Sequence, residues 1–339
     1  MNRVAVVVIN YNGKKHLKEC FLSLREQTFK EFDVFLLDNN SSDGSIDYTI
    51  ESFPEVKIIN MDKNYGFAEG YNKAIMQLDK NYEYVALLNN DFKTDMDWLK
   101  TLVETADEEK DVAIVGSKIC FYDHPDLVNS AGIAITFIGV GFDRGYGQKD
   151  AAEFNVKKYV GGACAASCLI KRKVFEEIGG FDGDYFLLCE DTDLCWRIIL
   201  RGYKIIYQPR SVGYHKVGSS IGKRETPFRV YYSQRNSLFN IVKNLGLLRL
   251  LLAVPIFGVY NILKILFYLI FLKWNNAAAL IKGTVCALMD LRSLMDKRKY
   301  IQANRNISDR ELERLGFISS PLESLKEYMR VTWIWLSGK

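Results

Sequence analysis

The 339-residue sequence has few of the residues that build zinc-bound or disulfide-bonded scaffolds. Histidine occurs three times, proline six times, and no two of the seven cysteines form a CxxC pair. A structural zinc site is therefore disfavoured, and an odd number of scattered cysteines is typical of reduced thiols in the cytosol. The cysteines are Cys20, Cys120, Cys164, Cys168, Cys189, Cys195 and Cys286.

The sequence also lacks the common nucleotide-binding loops and a strong charge bias. No GxGxxG follows the first apolar run and no GxxxxGK[ST] occurs anywhere, which disfavours a dinucleotide site and a P-loop. The formal net charge of +4 is too small to indicate a nucleic-acid partner. With 48% apolar and 25% charged residues, the chain has a globular composition and room for one large domain with an extension.

The first 120 residues alternate short apolar runs with amphipathic segments. The run "VAVVVI" near the N-terminus is too short for a signal peptide and is typical of a buried strand. Helices are predicted near 14–26 and over 95–108. Apolar runs of four to eight residues between helices predict an α/β fold with a mostly parallel central sheet flanked by helices. In such sheets, ligands bind outside the carboxyl ends of the strands.

Polar side chains stand at these carboxyl ends in four places. The predicted strands lead into the polar groups 10–13, 38–40, 64–66 and 89–91. Each group alone is explained by turn chemistry. Four groups at one edge favour a nucleoside site, in which a tyrosine stacks on the base, an aspartate accepts a base N–H and an asparagine contacts the ribose.

Three carboxylates lie within four positions of the segment "CEDTDLCWR", at Glu190, Asp191 and Asp193. One explanation is structural, because acidic residues are favoured in the first turn of a helix. The other is a metal site or a proton transfer. Asp193 and Arg197 are four residues apart, a spacing that favours an ion pair within the helix.

The last third contains a long apolar run. From 250 to 272 the only charged residue is Lys264, and this length is sufficient to cross a bilayer. A single crossing would place the basic residues 297–299 on the far side, against the positive-inside rule, whereas the weaker apolar stretch 277–289 can return the chain. We therefore predict a helical hairpin that is interfacial or re-entrant, with flanking basic residues at the headgroups. The alternatives are a buried helix pair and a dimer interface.

Six stretches resemble the family 2 inverting nucleotide-sugar glycosyltransferases, and the subgroup that fits best is the rhamnosyltransferase-like enzymes of cell-surface polysaccharide assembly. They follow the family's order and spacing over about residues 3–240. The stretches are "VVVINYNG", "LLDNNSSDGS", "NYGFAEGYN", "LLNND", "GGFDGDYFLLCEDTDLCWR" and "GYKIIYQPRSVGYHKVGSS". The resemblance implies a GT-A fold, a nucleoside-diphosphate sugar donor and a divalent cation.

By position in these stretches, the resemblance assigns the donor site. Tyr11 corresponds to the residue that stacks on the base, and Asp38 to the carboxylate that binds the base. Arg235 is assigned to the diphosphate. Its segment "SQRNS" lacks the tryptophan of the QxxRW motif of processive synthases, which favours one sugar per encounter. The other donor-site residues are Asn64, Asn72, Asn89 and Asn90.

The resemblance also assigns the metal site and the catalytic pair. Asp91 corresponds to the metal-binding aspartate of the family's DXD-like motif, and His215 to a histidine that adds a metal ligand. Because asparagines precede Asp91, we expect a weak Mg²⁺ or Mn²⁺ site that the diphosphate completes, and the histidine favours Mn²⁺. Asp191 corresponds to the catalytic base, and Glu190 to a residue that orients the acceptor.

These assignments predict an inverting glycosyltransferase that moves one sugar onto a polyprenyl-diphosphate-linked glycan. Residues 1–240 are expected to form the GT-A domain, and 241–339 the apolar hairpin and a basic tail at the cytoplasmic face of the cell membrane. A homodimer is compatible with this organisation. One alternative is a nucleotidyltransferase, an enzyme class that usually needs an N-terminal Gly-rich loop. The segment "NYNGKK" is a poor match to such a loop. The other is a non-catalytic membrane-anchored scaffold.

Overall fold

The computed structural model describes residues 2–216 and 225–337. Its first third alternates strands and helices, as predicted. The helix expected over 95–108 begins three residues later, because Trp98 N donates to the carbonyl of Asp95 in a turn (3.1 Å). The elements are β1 (Val4–Asn10), α1 (Lys14–Arg25), β2 (Phe32–Asp38), α2 (Ser45–Ser52), β3 (Lys57–Asn60), α3 (Gly66–Gln77), β4 (Tyr84–Asn89), β5 (Phe92–Thr94) and α4 (Trp98–Glu108).

The middle of the chain forms one long strand, several short ones and two helices. The strand-like run predicted up to His215 is confirmed, whereas the two- to four-residue strands were not predicted because they are too short to show alternation. The predicted stretch that ends at residue 220 extends beyond the described residues. The elements are β6 (Val112–Phe121), β7 (Leu127–Ser130), β8 (Ile133–Ile135), β9 (Gly141–Asp143), β10 (Gln148–Lys149), β11 (Lys158–Tyr159), β12 (Ser167–Lys171), α5 (Arg172–Ile178), α6 (Glu190–Leu200) and β13 (Lys204–His215).

The main sheet has a parallel half and an antiparallel half. Eight strands lie in the order β10-β7-β6-β12-β4-β1-β2-β3. The last four are parallel, and Asn10 lies opposite Asp38, so the carboxyl ends of these strands meet at one edge. β12 lies between β4 and β6 and is antiparallel to both. The predicted parallel core is confirmed, and the sheet as a whole is mixed.

Both faces of the sheet are buried under helices. Along β1, Val4, Val6 and Val8 point into one core, which α1 and α4 cover. Ala5 and Val7 point into the other core, under α3, α5 and α6. The near-continuous apolar sequence of β1 follows from this double burial, since each buried valine stabilises the fold by about 1.5 kcal/mol or more.

The C-terminal part is helical, as predicted. The apolar run forms two helices joined by three residues, so the predicted helical hairpin exists as a structural unit. The helix before it begins at Thr226, whose hydroxyl accepts from Arg229 N (3.3 Å), and it runs across the predicted domain boundary at residue 240. The helices are α7 (Pro227–Asn244), α8 (Leu247–Ile270), α9 (Trp274–Met289), α10 (Leu291–Ala303), α11 (Asp309–Arg314) and α12 (Pro321–Ser337).

Helix α8 exposes most of its apolar surface. Within the described ranges it is the one helix long and apolar enough to cross a membrane, and its most apolar 18-residue window is only 17% buried. Leu248, Leu251 and Leu263 are among its exposed side chains. The alternative of a buried helix pair is therefore wrong for α8. Exposed apolar area of this extent is typical of a surface that contacts another apolar phase.

The segment after α9 is folded onto the protein, and the prediction of a basic tail is wrong. The Arg298 side chain is 7% exposed and donates to the carbonyls of Val242 (2.7 Å) and Leu245 (2.5 Å). Lys297 forms an ion pair with Asp182 (2.5 Å). These cations bind carbonyls at the end of α7 and a loop carboxylate, where cations are favoured. They are therefore not free to bind lipid headgroups.

Candidate active site

The floor of a crevice forms where β1, β2 and β4 end. Asn10 Nδ2 donates to Asp38 Oδ1 (2.7 Å), and Asn10 Oδ1 accepts from Asn90 Nδ2 (2.6 Å). The other oxygen of Asp38 accepts from Ser41 N (2.7 Å). A Cβ on Gly13 would overlap the Asn90 amide, so the backbone lies directly on this floor. The predicted donor-site residues Asp38 and Asn90 are thus brought together and held rigidly.

Tyr11 lies at the mouth of this crevice with 47% of its surface exposed. The next residue, Asn12, has a left-handed backbone (φ 51°), and its side-chain oxygen accepts from Ser42 N (2.8 Å). This contact ties the turn after Tyr11 to the loop after β2. Stacking of the ring on a base remains a prediction.

Three other predicted donor-site residues make contacts within the protein. Asn64 Oδ1 accepts from the backbone N–H two residues later, at the start of α3 (2.8 Å). Asn72 binds both the N–H and the carbonyl of Phe181 (2.9 Å each). Arg235 lies over the Phe239 ring, 4.8 Å from its centroid. The structure therefore places Asn72 and Arg235 against the loop that precedes α6, and their roles toward a donor remain predictions.

The predicted metal ligands Asp91 and His215 are adjacent. β13 pairs with β5 so that His215 lies opposite Phe92, and its Nε2 is 3.2 Å from Asp91 Oδ1. Its Nδ1 is 3.1 Å from Asn129 Oδ1, which can only accept. With Nδ1 directed at this amide oxygen, the other ring nitrogen, Nε2, is directed at the Asp91 carboxylate. Asn89 Nδ2 lies 3.4 Å from the same nitrogen.

These groups fit a divalent cation. A carboxylate oxygen and an imidazole nitrogen face one another, and the buried Oδ1 of the neighbouring Asn89 has no hydrogen-bond partner among the described residues. In the part of the chain that the structure describes, no cluster of three or more His, Cys, Asp or Glu side chains could hold a metal. The remaining ligands would have to come from a diphosphate and water, as Mg²⁺ and Mn²⁺ sites permit.

The acidic segment begins α6 after two residues with unusual backbone angles. Leu188 and Cys189 have φ values of 69° and 67°, which non-glycine residues rarely adopt. Asn236 on α7 donates to the carbonyl of Leu188 (2.7 Å) and to the carbonyl of the residue before it (2.8 Å). Asn240 donates to the carbonyl of Cys189 (3.3 Å). Two α7 amides thus hold the strained turn that positions Glu190.

Asp191 and Glu190 share a weakly solvated environment. Asp191 Oδ1 accepts from Thr192 N (2.7 Å), and Oδ2 lies 3.4 Å from Ala165 N. Burial raises the pKa of Asp191 above its usual value, and the two N–H groups oppose that shift. Glu190 is 7% exposed, and burial together with the charge of Asp191 raises its pKa to about 8. Burial and mutual repulsion therefore both oppose full ionisation of the pair.

Asp193 differs from its two neighbours. It is fully buried and pairs with Arg197 (2.8 Å) and Lys243 (2.8 Å), and it accepts from Asn244 (3.0 Å). Burial opposes the shift, but these cations hold the pKa of Asp193 well below its usual range. The predicted ion pair within the helix is confirmed. Lys243, which also pairs with Asp182 (2.6 Å), was missed by the sequence analysis.

The sequence analysis also missed Asp143 on β9. A Cβ on Gly141 would overlap the Thr192 side chain, so β9 packs against the first turn of α6. Because side chains alternate along a strand, Asp143 faces the same way as Gly141, toward Asp191. Burial, followed by the charge of Asp191, raises the pKa of Asp143 to about 7. The available signal was a lone acidic residue in the glycine-rich segment "GVGFDRGYG".

Comparison with known proteins places the sequence in a family. Residues 5–179 match the family model described as glycosyl transferase family 2. The chain is 25% identical over 241 residues to an N-acetylglucosaminyl-diphospho-decaprenol L-rhamnosyltransferase of Mycobacterium tuberculosis, covering 64% of this chain and 77% of that protein. It is 29% identical over 158 residues to rhamnosyltransferase WbbL of Escherichia coli, covering 43% of this chain and 58% of that protein.

Solved structures share the fold. GalNAc-T7, determined with UDP, GalNAc and Mn²⁺, superposes with a TM-score of 0.58 at 14% identity, over 72% of this chain and about half (48%) of that chain. The mannosyltransferase PcManGT of Pyrobaculum calidifontis, in complex with GDP-Man and Mn²⁺, gives 0.53 at 18% identity, over 85% and 87%. The predicted GT-A fold is confirmed. Since the family match spans just over half of the chain, this protein belongs to glycosyl transferase family 2 and is a glycosyltransferase.

Proposed function

We propose that the enzyme transfers one sugar, with inversion, from a nucleoside-diphosphate sugar to a hydroxyl of a polyprenyl-diphosphate-linked glycan. The observation that carries this proposal is the pairing of a cation-type site, Asp91 and His215, with a half-buried base, Asp191, whose contact with the segment after residue 164 lies beside the end of β4. The name of the Mycobacterium tuberculosis relative, which joins a diphospho-decaprenol acceptor to L-rhamnose transfer, supports the same acceptor class here.

In this proposal Asp191 is the general base. The backbone N–H groups of Thr192 and Ala165 fix its carboxylate. Its raised pKa makes it a better proton acceptor than an ordinary aspartate. An acceptor hydroxyl held against it loses its proton as the new C1–O bond forms, and attack opposite the departing diphosphate inverts the anomeric carbon. Glu190, protonated at neutral pH, donates a hydrogen bond that orients the acceptor.

The donor occupies the crevice beside the base. Tyr11 stacks on the base and the Asp38 region binds its edge. Asp91 and His215 would hold a divalent cation, Mg²⁺ or Mn²⁺, with Asn89 beside them. When bound, the cation supplies positive charge that neutralises the diphosphate leaving group. The Mn²⁺ in the two structural neighbours supports this cofactor class.

The α8–α9 hairpin attaches the enzyme to the cytoplasmic face of the membrane, where a lipid-linked acceptor is reached. The exposed leucines of α8 suit a hydrocarbon phase. The one charged residue in the apolar run, Lys264, pairs with Glu225 (3.1 Å), and Tyr268 donates to the same carboxylate (2.6 Å). This pairing lowers the cost of placing a lysine near lipid.

Replacement of the base tests the proposal. Asp191→Asn keeps the shape but cannot accept the proton, so transfer to a lipid-linked acceptor should fall at least about 100-fold, the usual contribution of a general base. Nucleoside-diphosphate binding, measured by calorimetry with UDP, GDP and dTDP, should change no more than a few-fold. Asp126→Asn, at an exposed carboxylate, is the control and should behave as the wild type. Near-normal turnover of Asp191→Asn, or equal wild-type activity in Mn²⁺ and in EDTA, contradicts the proposal.

A further inference from the structure

Polar groups that neither the cation site nor the catalytic pair uses connect the two ends of the crevice. His215 contacts Asn129 (3.1 Å), and Ser130 follows at the end of β7. Ala131 N donates to the carbonyl of the residue after Asp143 (2.9 Å). Asp143 therefore lies next to this segment. Asn129, Ser130 and Asp143 therefore form a row of polar residues that runs from the cation site toward Asp191.

The direction of the Asp143 side chain is fixed by the β8–β9 hairpin. Asp143 pairs with Ile133, and Ile133 in turn bridges to Gly162, close to the start of β12. Two residues before Asp143, the backbone of Gly141 lies against Thr192. A side chain at position 143 therefore faces the first turn of α6 and the gap between Asp191 and His215.

Three buried polar atoms near Asp191 make no close hydrogen bond among the described residues, although the Ser130 hydroxyl interacts with the Asp143 carboxylate. They are Ser130 Oγ, Asp143 Oδ1 and Glu190 Oε2. Ser130 is 1% exposed and Glu190 7% exposed, so water reaches neither side chain freely. Buried polar groups are paired in most proteins, and leaving one unpaired costs about 1–3 kcal/mol. The incompletely paired carboxylate of Asp143, with the Ser130 hydroxyl beside it, indicates a ligand that carries hydroxyl groups.

Chemistry identifies that ligand. The reaction joins the anomeric carbon to an acceptor hydroxyl held at Asp191 while the diphosphate stays at the cation site, so the sugar ring must lie between the two. A carboxylate oxygen and a serine hydroxyl are the groups that bind sugar hydroxyls. Resting on the function proposed above, we propose that Asp143 and Ser130 bind ring hydroxyls of the transferred sugar and so determine which sugar is accepted.

The experiment separates the sugar from the nucleotide. Calorimetry with Mn²⁺ measures binding of UDP, GDP and dTDP, and of UDP-GlcNAc, GDP-mannose and dTDP-rhamnose, to the wild type, Asp143→Asn, Ser130→Ala and the exposed control Asp126→Asn. The nucleotide sugar that the wild type prefers should bind Asp143→Asn about 10- to 100-fold more weakly, the range for one hydrogen bond to a charged group. Binding of the matching nucleoside diphosphate should change less than about threefold. Ser130→Ala should show a smaller loss in the same direction, and Asp126→Asn none.

Several results would overturn the inference. Equal weakening of sugar nucleotide and nucleotide in Asp143→Asn would mean that Asp143 only supports the fold. Unchanged donor binding in both variants, with a raised KM for the acceptor alone, would move these residues to the acceptor. A wild type that binds no nucleoside diphosphate at all would overturn the proposed function and this inference together.

Discussion

Glu190, Asp191 and Asp193 show how strongly surroundings divide the behaviour of similar side chains. Asp193 has two cationic partners and a pKa well below its usual range, whereas burial raises the pKa of both Glu190 and Asp191. The difference arises because, of these three carboxylates, only Asp193 forms ion pairs with Lys243 and Arg197. One carboxylate is therefore structural, and the other two are available for proton chemistry.

The raised pKa of Glu190 has a consequence for stability. Between about pH 4.5 and pH 8 the folded state holds a proton on Glu190 that the unfolded state releases, so this residue destabilises the fold increasingly as pH rises. Glu190→Gln removes the effect. The free energy of unfolding of the variant, relative to the wild type, should rise by about 3 kcal/mol between pH 5 and pH 8.

Urea unfolding at pH 5, 6.5 and 8 measures this difference. Glu104→Gln, at an exposed glutamate on α4, is the matched control and should give a constant offset at all three values. A constant offset for Glu190→Gln as well would show that Glu190 titrates in its ordinary range.

At this scale, the sequence predicts contacts that are local. The Asp193–Arg197 pair follows from a spacing of four residues, and Asn10–Tyr11 and Asp91 follow from strand ends. Lys243 is fifty residues from Asp193, and no periodicity connects the two. Asp143 lies on a three-residue strand, where alternation cannot be recognised. Such contacts arise only from the packing of distant elements.

Among the elements, α7 determines the geometry of the catalytic turn. Its Asn236 and Asn240 hold Leu188 and Cys189 in left-handed conformations that cost on the order of 1–3 kcal/mol each. Without these amides the turn would relax and Asp191 would move. The strain is thus maintained by side chains of α7 that are not themselves assigned to the donor or the acceptor.

Removal of one amide tests this arrangement. Asn236→Ala should lower kcat about 10-fold while the KM for the nucleotide sugar and nucleoside-diphosphate binding stay within about twofold, since the donor crevice is untouched. Ser233→Ala, on an exposed position of the same helix, should match the wild type. A rise in KM with unchanged kcat, or loss of stability alone, would contradict a positioning role.

The long elements were predictable and the short ones were not. β1, β2, β4 and α1 have apolar runs or apolar periodicity long enough to identify them. The strands β7 to β11 have two to four residues each, and their conformation depends on pairing with distant partners. The antiparallel position of β12 between β4 and β6 was also missed, because an apolar run in the sequence does not reveal the direction of the strand.

For the molecule as a whole, the exposed face of α8 predicts membrane binding. The double substitution Leu251→Glu and Ile262→Glu places charges on this face, and at a bilayer interface each should cost enough to abolish flotation with anionic phosphatidylglycerol vesicles. Nucleoside-diphosphate binding should persist. Transfer to a lipid-linked acceptor should fall much more than transfer to a short soluble analogue.

Met76→Glu, at an exposed apolar position on α3, is the control for added charge and should still float. Failure of the wild type to bind vesicles would contradict the membrane proposal. Point substitutions are preferable to truncation after residue 244, since α10 contributes Arg298 to the end of α7 and its removal would damage the catalytic part.

The sequence revealed the apolar run but not how the chain continues after it. Residues beyond 290 were predicted as a basic tail from their composition, yet Ser324 accepts from Phe137 N (2.8 Å) and Ile318 bridges to Ile135. These contacts join the C-terminal segment to β8 and the residues after it, in the middle of the chain. They cannot be predicted from local patterns, because the surface that they complete exists only after the first half has folded.

Helix α7 contacts both the turn before α6 and helix α9, and this limits which segments of the enzyme can be exchanged in a chimera. One side of α7 holds the catalytic turn through Asn236, and the other packs against α9, where the backbone at Gly283 closely approaches α7. The hairpin proposed to bind the membrane and the turn proposed to carry the catalytic pair therefore both pack against α7 and are not separable modules. A chimera that grafts a foreign anchor at the start of α8 would leave α7 without its support. Functional exchange requires a transplant that includes α7, α9, α10 and the loop 182–189 as one block.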